Sequence, residues 1–200
     1  MSQRAGSEGT RGTEVLIHGK STYVEEGDVI LTMWRGWAAW LMSFISGDYT
    51  HAALVVFVDG LPCVAESTRR AWRTVDNRQI CAGVSVRHIG KSFDDRRLIR
   101  LAVARLDRPL TPNQGRMMRR FVLSSAAAEA QQQPSSYDCG ADLVFAPVMW
   151  GTMSDDRYQC AEFLARAFDA AGRWPVGEGF ATMPVTVMQR VGARIVECVV

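Results

Sequence analysis

Short apolar runs bounded by turn residues dominate the first half of the chain. Val29-Ile30-Leu31 follows Glu26-Gly27-Asp28 and is interpreted as the first strand. The almost continuous apolar run His51–Val58 predicts a strand that is buried on both faces. Asp59-Gly60 is a two-residue hairpin signal, so Leu61–Ser67 is expected to return as the partner strand. Further strands are predicted at Val84–His88, Leu98–Val103 and Ala193–Val200.

Helical spacing of apolar residues appears in three segments. Thr111 and Gln114 form a capping pair around Pro112, which predicts a helix that runs to about Gln132. A second helix is indicated late in the chain and is ended by Gly172. The aromatic residues of Trp34–Ile45 favour a further helix. The residues predicted to face inward are Met117, Met118, Phe121 and Val122 in the first helix, and Phe163, Leu164, Ala167, Phe168 and Ala171 in the second. This order of elements predicts the α+β class.

Composition is typical of one globular domain. The chain has 200 residues, of which 48% are apolar and 22% charged. Residues 1–24 are expected to form a flexible tail and residues 25–200 the domain, because Met1–Glu14 is polar and lacks the apolar segment of a secretory signal. Gly36–Ile45 reaches only about half of the ~20 residues that a membrane-spanning helix needs. A cytoplasmic location is therefore expected, with a virus particle or a membrane surface as alternatives.

The cysteines and the basic residues each leave a choice open. Five widely spaced cysteines without a C-x-x-C pair support neither a disulfide framework nor a zinc site. Only Lys20 and Lys91 among the 23 basic residues are lysines. The arginines form a solvated surface or bind an anionic partner such as lipid headgroups, and no nucleic-acid-binding motif accompanies them. Their denser groups are Arg69, Arg70 and Arg73; Arg96, Arg97 and Arg100; and Arg116, Arg119 and Arg120.

Cys160 lies where the second predicted helix begins. The start of a helix stabilises a thiolate through its partial positive charge and its free N–H groups. Cys160 precedes Phe163 and Leu164 by three and four positions, which directs its side chain toward the sheet. Glu162 is expected to point away from the thiol. The alternative interpretation of Cys160 is a small buried hydrophobic residue.

The predicted hairpin brings a base and a carboxylate together. If Asp59-Gly60 is a two-residue turn, Glu66 lies opposite Ala53 and diagonally beside His51 on one face of the sheet. A four-residue loop at Pro62 would move the pair one step further apart. A carboxylate beside an imidazole stabilises the imidazolium that pairs with a thiolate. A structural histidine at a strand end is the alternative for His51.

At these residues the sequence resembles the circularly permuted NlpC/P60, or YiiX/YebB-like, papain-fold proteins, which include poxviral members. The resemblance covers Gly27 to about Gly172 and consists of five short motifs in the family's order. They are Gly27-Asp28-Val29-Ile30, Thr50-His51-Ala52-Ala53-Leu54, Val64-Ala65-Glu66-Ser67, Tyr137-Asp138 and Tyr158-Gln159-Cys160-Ala161-Glu162. The chain departs from many relatives at Gln159 and Ala161, where an aromatic residue and a serine are common.

The resemblance implies a small antiparallel barrel-like sheet packed against a core helix that carries the nucleophile Cys160. It further implies His51 as the base, Glu66 as the residue that orients it, and an oxyanion hole that uses the Cys160 backbone N–H. Such a site would transfer an acyl group from an amide or ester and need no cofactor.

The substrate class and the protein class stay open on the sequence. Lipid or acyl-amide substrates are favoured over peptides, and a membrane surface is a candidate contact for Trp34, Trp37 and Trp40. The alternative for these aromatic residues is a core helix. A non-catalytic structural or binding module, for example in a virus particle, and a cysteine protease are the competing functions.

Overall fold

A computed structural model describes residues 12–35, 48–68, 72–73, 79–80, 83–93, 96–131, 160–175 and 184–200. The strands are β1 (Gly12–Ile17), β2 (Lys20–Glu25), β3 (Val29–Trp34), β4 (His51–Val58), β5 (Leu61–Thr68), β6 (Trp72–Arg73), β7 (Gln79–Ile80), β8 (Gly83–His88), β9 (Leu98–Leu106) and β10 (Ala193–Cys198). The helices are α1 (Pro112–Gln131), α2 (Cys160–Ala170) and α3 (Pro184–Val191), with a 3₁₀ turn at Ile89–Lys91.

A six-stranded sheet forms the centre of the fold, in the order β10-β9-β3-β4-β5-β8. All of its neighbouring strands run antiparallel. The strands β1 and β2 form a separate hairpin, and β6 pairs with β7. The predicted α+β class is confirmed, and so are the strands predicted around Val29, His51, Leu61, Val84, Leu98 and Ala193.

One face of the sheet packs against the helices. Leu54 and Ala65 from the central strands join Phe163, Leu164 and Phe168 of α2 in one buried cluster. Burying a large apolar side chain contributes about 1.5–3 kcal/mol, so this contact fixes α2 against β4 and β5. Each residue of the predicted α2 stripe is buried, and Gly172 follows the helix at a positive φ of 66°. The position of Cys160 is therefore set by the core beneath its helix.

The opposite face of the sheet is covered by the β1–β2 hairpin, and the predicted tail is wrong for this stretch. Ile17 and Val24 are buried beside Val55 and Val64 of the sheet. More buried and exposed residues alternate along both strands. His18 and Gly19 form the turn between them, with φ values of 51° and 79°. The polar composition of the first residues concealed this alternation. Residues 1–11 lie outside the described residues.

The β4–β5 turn is the predicted two-residue hairpin. Asp59 and Gly60 have φ values of 50° and 82°, and Val58 pairs directly with Leu61. Positive φ at both turn positions is the geometry of a type I′ turn, which favours Gly at the second position. Pro62 pairs with Phe57, so the chain forms no larger loop there. The relative register of β4 and β5 is thereby set by the turn.

The first helix begins as predicted. The Thr111 N–H donates to Gln114 Oε1 at 3.0 Å, and the Gln114 N–H donates to Thr111 Oγ1 at 3.3 Å. Met118 and Val122 are buried, whereas Met117 is 46% exposed and its inward assignment is wrong. Met117 precedes Met118 by one position and therefore points about 100° away from it around the helix.

Two other predictions about elements need correction. Trp34 does not begin a helix but ends β3, where it pairs with Leu98 across a register shift. The remainder of that predicted helix, with Trp37 and Trp40, lies outside the described residues. The helix α3 was not predicted, because its eight residues are too few to show a clear periodic pattern.

Gly27-Asp28, the first of the motifs, has a structural role. Arg105 Nη2 donates to Asp28 Oδ2 at 2.8 Å, and the Glu25 N–H donates to the same oxygen. Burial raises the pKa of Asp28, against the opposing effect of Arg105. Gly27 has a φ of 91°, and a Cβ there would meet Leu110 at 2.8 Å. The motif thus fixes the start of β3, the strand that pairs with β4.

Two arginines from the predicted surface groups form ion pairs within the chain. Arg100 pairs with Asp48, and Arg119 pairs with Glu26. An anionic partner for the other arginines stays a prediction. None of the described helices is both long enough and apolar enough to cross a lipid bilayer.

Candidate active site

Cys160 is the first residue of α2 and is partly exposed. Ala161, Phe163 and Leu164 after it are fully buried, so the first turn of the helix is held against the sheet. Burial raises the pKa of the Cys160 thiol, whereas His51 and the backbone N–H groups of Ala52 and Ala161 lower it. The thiol therefore lies between the start of a helix and the start of a strand, and both offer hydrogen-bond donors to a thiolate.

His51 is the first residue of β4 and pairs with Thr32 of β3. The strand that follows is buried from Ala52 to Phe57, so the backbone of His51 is anchored by the core. Its side chain is 17% exposed. This exposure leaves the imidazole reachable from solvent while most of its surface is enclosed by protein.

Glu66 lies beside His51, where the two-residue turn places it. Leu54 pairs with Ala65, so Glu66 stands one step further along, opposite Ala53 and diagonal to His51. His51 Nε2 and Glu66 Oε2 are 2.6 Å apart, and the Glu66 side chain is only 5% exposed. Because Glu66 engages Nε2, Nδ1 is the ring nitrogen left to face the Cys160 thiol.

Arg87 completes this group of side chains and was not identified from the sequence. It lies on β8, where it pairs with Val64, and its Nη2 donates to Glu66 Oε1. The Arg87 side chain is 8% exposed. The sequence offers one signal for a buried cation here: Arg87 directly follows the strand residues Val84 and Val86, which are apolar.

The site favours a charged pair between the thiol and the imidazole. Burial lowers the pKa of His51, but Cys160 and Glu66 outweigh it and raise that pKa from 6.5 to about 10. Burial raises the pKa of Cys160, but His51 and two backbone N–H groups outweigh it and lower that pKa. Both shifts favour a thiolate and an imidazolium over the neutral pair.

Glu66 stays ionised through the same set of contacts. Burial raises its pKa, whereas His51 and Arg87 lower it from 4.5 to about 2. Both carboxylate oxygens are occupied, Oε2 by His51 and Oε1 by Arg87. A carboxylate with both oxygens engaged by cations has a fixed orientation.

Glu162 belongs to a different contact. Its Oε1 accepts from Arg166 Nε at 3.0 Å and from Nη2 at 2.8 Å, and the Glu162 side chain is buried. The other residues of the late motifs, Tyr137-Asp138 and Tyr158-Gln159, lie outside the described residues.

A second cysteine and histidine lie near each other elsewhere in the sheet. Cys63 Sγ is 3.8 Å from His88 Nδ1. Cys63 is fully buried, and burial raises the pKa of its thiol. It therefore behaves as a structural cysteine. His18 Nδ1 lies 3.3 Å from the Phe93 carbonyl oxygen, and His18 forms the β1–β2 turn.

The arrangement of Cys160, His51 and Glu66 provides a nucleophile, a base and a group that orients the base. These are the parts that thiol-dependent acyl transfer requires. Within the described ranges, no three His, Cys, Asp or Glu side chains converge in a way that could hold a metal ion.

The fold of the chain is similar to that of a protein of known structure. The chain is similar in structure to metalloprotein YiiX from Escherichia coli O157:H7, with a TM-score of 0.55 and 18% sequence identity over 86% of this chain and 96% of that chain. No family model matches the chain, and no curated protein sequence matches it. At this level of identity the similarity is one of fold alone, and it shows that the chain has a YiiX-like fold.

Proposed function

We propose that this protein is a cysteine-dependent acyl hydrolase or acyltransferase that acts on an amide or ester through Cys160, His51 and Glu66. The proposal rests on the position of His51 between Cys160 and Glu66. The His51 imidazole lowers the pKa of the Cys160 thiol, against burial, and its Nε2 lies 2.6 Å from Glu66 Oε2. The assignment to a permuted papain-like fold of the NlpC/P60 kind is part of the same proposal. It is supported by the motif order and by the YiiX-like fold.

In the first half of the proposed reaction, the Cys160 thiolate attacks the substrate carbonyl carbon, and the carbonyl π electrons move to the oxygen. The tetrahedral intermediate then re-forms the carbonyl and breaks the bond to the leaving nitrogen or oxygen. His51 donates its proton to that leaving group. The product of this half-reaction is a thioester on Cys160 and a neutral imidazole.

In the second half, water or another hydroxyl or amine acceptor attacks the thioester. Neutral His51 removes the proton from this nucleophile, and collapse of the intermediate expels the Cys160 thiolate. The imidazolium and the thiolate are thereby restored together. Glu66 stabilises the imidazolium in both resting and final states and keeps its own charge throughout.

The start of α2 supplies positive potential at the reacting centre. The Cys160 backbone N–H lies at the helix N-terminus, where N–H groups have no partner within the helix. In the proposed site this group donates to the oxyanion of the tetrahedral intermediate. Residues 132–159, which directly precede Cys160, lie outside the described residues. The proposal therefore assigns no second donor to the oxyanion.

The name of the structural neighbour raises the question of a metal. YiiX is named a metalloprotein. In the described part of this chain, the donor atoms do not fit a metal centre, since Glu66 has both oxygens occupied and no group of three ligands converges. The proposed reaction accordingly has no metal-dependent step.

Trapping the thioester tests the proposal. The wild-type protein is mixed with an activated acyl ester, quenched in acid and analysed by intact mass and peptide mapping. A covalent acyl adduct on Cys160 is expected, and Cys160→Ala removes it. Cys198→Ala is the matched control, because Cys198 is an exposed thiol outside the site, and it should leave the adduct unchanged. Acylation of Cys160 no faster than that of Cys198 would contradict the proposal.

A structural or binding module on the same fold is the competing function. Such a protein would need a stable Cys160 helix but no reactive thiolate. Acylation and ordinary alkylation at Cys160 would then be no faster than at the exposed Cys198.

A further inference from the structure

Glu66 is held from two sides by side chains of neighbouring strands. His51 of β4 contacts Oε2 at 2.6 Å, and Arg87 of β8 contacts Oε1. All three side chains lie mostly out of solvent, with exposed fractions of 17%, 5% and 8% for His51, Glu66 and Arg87. An ion pair at this depth is weakly screened, so its geometry and charge strongly affect the groups that it contacts.

Arg87 contacts the carboxylate that contacts the imidazole. Within the described chain, the charged groups that face Glu66 are His51 and Arg87, and Cys160 of α2 faces His51 on the other side. Cys160 and Glu66 are the groups that raise the pKa of His51 most. The four side chains thus form a linear series from four different elements.

We propose that Arg87 is a positioning residue of the site, which holds Glu66 ionised and oriented so that Glu66 stabilises the His51 imidazolium opposite the Cys160 thiolate. Without Arg87, Glu66 would keep its burial, which favours the neutral carboxyl, and would lose one of its two cations. A protonated or rotated Glu66 no longer supports the imidazolium. This proposal rests on the proposed function, because it assigns a role within the same site.

The test compares Arg87→Met with the wild type in two measurements. The first is the pH dependence of iodoacetamide labelling at Cys160, read by peptide mass spectrometry. Removing an opposite charge in contact with a carboxylate raises its pKa by about 1–3 units. Glu66 is then expected to lose its charge at a higher pH, and the acid limb of labelling, which depends on that charge, to move to higher pH. The second is the pKa of Glu66, followed through the carbon-13 shift of its carboxyl group, which is expected to rise equally.

Three further variants separate positioning from a general loss of stability. Arg105→Met removes an ion pair with the buried Asp28 at the far end of β3 and should leave the acid limb unchanged. Arg87→Lys retains the charge and should shift the limb less than Arg87→Met does. In the Glu66→Gln background, Arg87→Met should produce no upward shift, because the carboxylate through which it acts is absent.

The outcomes distinguish the two proposals. If Arg87→Met folds and its labelling profile matches the wild type, the positioning role is wrong even though Cys160 is reactive. An upward shift that persists in the Glu66→Gln background overturns it as well. If Arg87→Met does not fold, the neutral variant Arg87→Gln is measured in its place, and an unchanged Glu66 pKa in that variant contradicts the role. A wild-type Cys160 that is unreactive refutes the proposed function, while the Glu66 titration still tests whether Arg87 controls that carboxylate.

Discussion

Replacing Glu66 with Gln removes the negative charge beside His51 and keeps the shape of the side chain. The Gln amide has one oxygen where Glu66 has two, so it accepts from either His51 Nε2 or Arg87 Nη2 and not from both. The substitution therefore removes the charge and one acceptor while the volume of the side chain is kept. We expect the Cys160 thiolate to become less stable, because its partner imidazolium loses a counter-charge.

The size of this effect follows from the contacts of His51. Its pKa rises from 6.5 to about 10 against the opposing effect of burial, and Cys160 raises it more than Glu66 does. An adjacent opposite charge changes a pKa by about 1–3 units, and we assign Glu66 about one unit, at the lower end. One unit corresponds to about 1.4 kcal/mol, or about a tenfold change in the charged fraction.

Alkylation kinetics measure this change. On the acid limb, Cys160 of Glu66→Gln should react with iodoacetamide about ten times more slowly than wild-type Cys160 at the same pH. Glu197→Gln is the matched control, since Glu197 pairs with Lys20 at 3.2 Å on a more exposed surface and should change nothing. Equal Cys160 profiles for wild type and Glu66→Gln, both folded by circular dichroism, would refute the argument.

Two predictions concern stability, measured by urea unfolding. Ile17→Ala in β1 should lower the free energy of unfolding by about 2–5 kcal/mol, because Ile17 is buried against the sheet. The control is the neighbouring Leu16→Ala, whose side chain is 62% exposed and which should lower it by less than about 0.5 kcal/mol. Equal effects of the two substitutions would mean that the hairpin does not cover the sheet. The pKa of Glu66 is about 2 in the folded protein and 4.5 without its contacts, so its stabilising contribution is present above pH 4.5 and is lost as the pH falls toward 2. The stability difference between wild type and Glu66→Gln should therefore narrow below pH 4.5, and a difference that stays constant would contradict the assigned ion pairs.

The meeting of His51 and Glu66 was predictable because local chemistry determines it. Asp59-Gly60 permits positive φ at both turn positions, which fixes a two-residue turn and hence the register of β4 against β5. Strand alternation then assigns His51 and Glu66 to one face. The Cys160 helix was predictable for a similar reason, since five apolar residues at helical spacing define its buried side.

Arg87 was not predictable because its position depends on a longer connection. Residues 69–82 separate β5 from β8, so no short turn fixes which residue of β8 lies beside Glu66.

The β1–β2 hairpin was missed for another reason. The Gly and charged residues before Val15 suggested a tail. Ile17 is buried because it packs against a face of the assembled sheet, and the sequence near Ile17 does not show that this face needs a cover.

The central claim is that Cys160 and His51 form a thiolate–imidazolium pair. The most direct test is the rate of iodoacetamide labelling at each cysteine of the full chain from about pH 5 to 9, in the wild type and in His51→Ala. We expect fast labelling of wild-type Cys160, with an apparent pKa well below the ~8.5 of a free thiol, and labelling no faster than that of a free thiol in His51→Ala. Labelling of Cys160 no faster than that of Cys198, or an unchanged profile in His51→Ala, would contradict it.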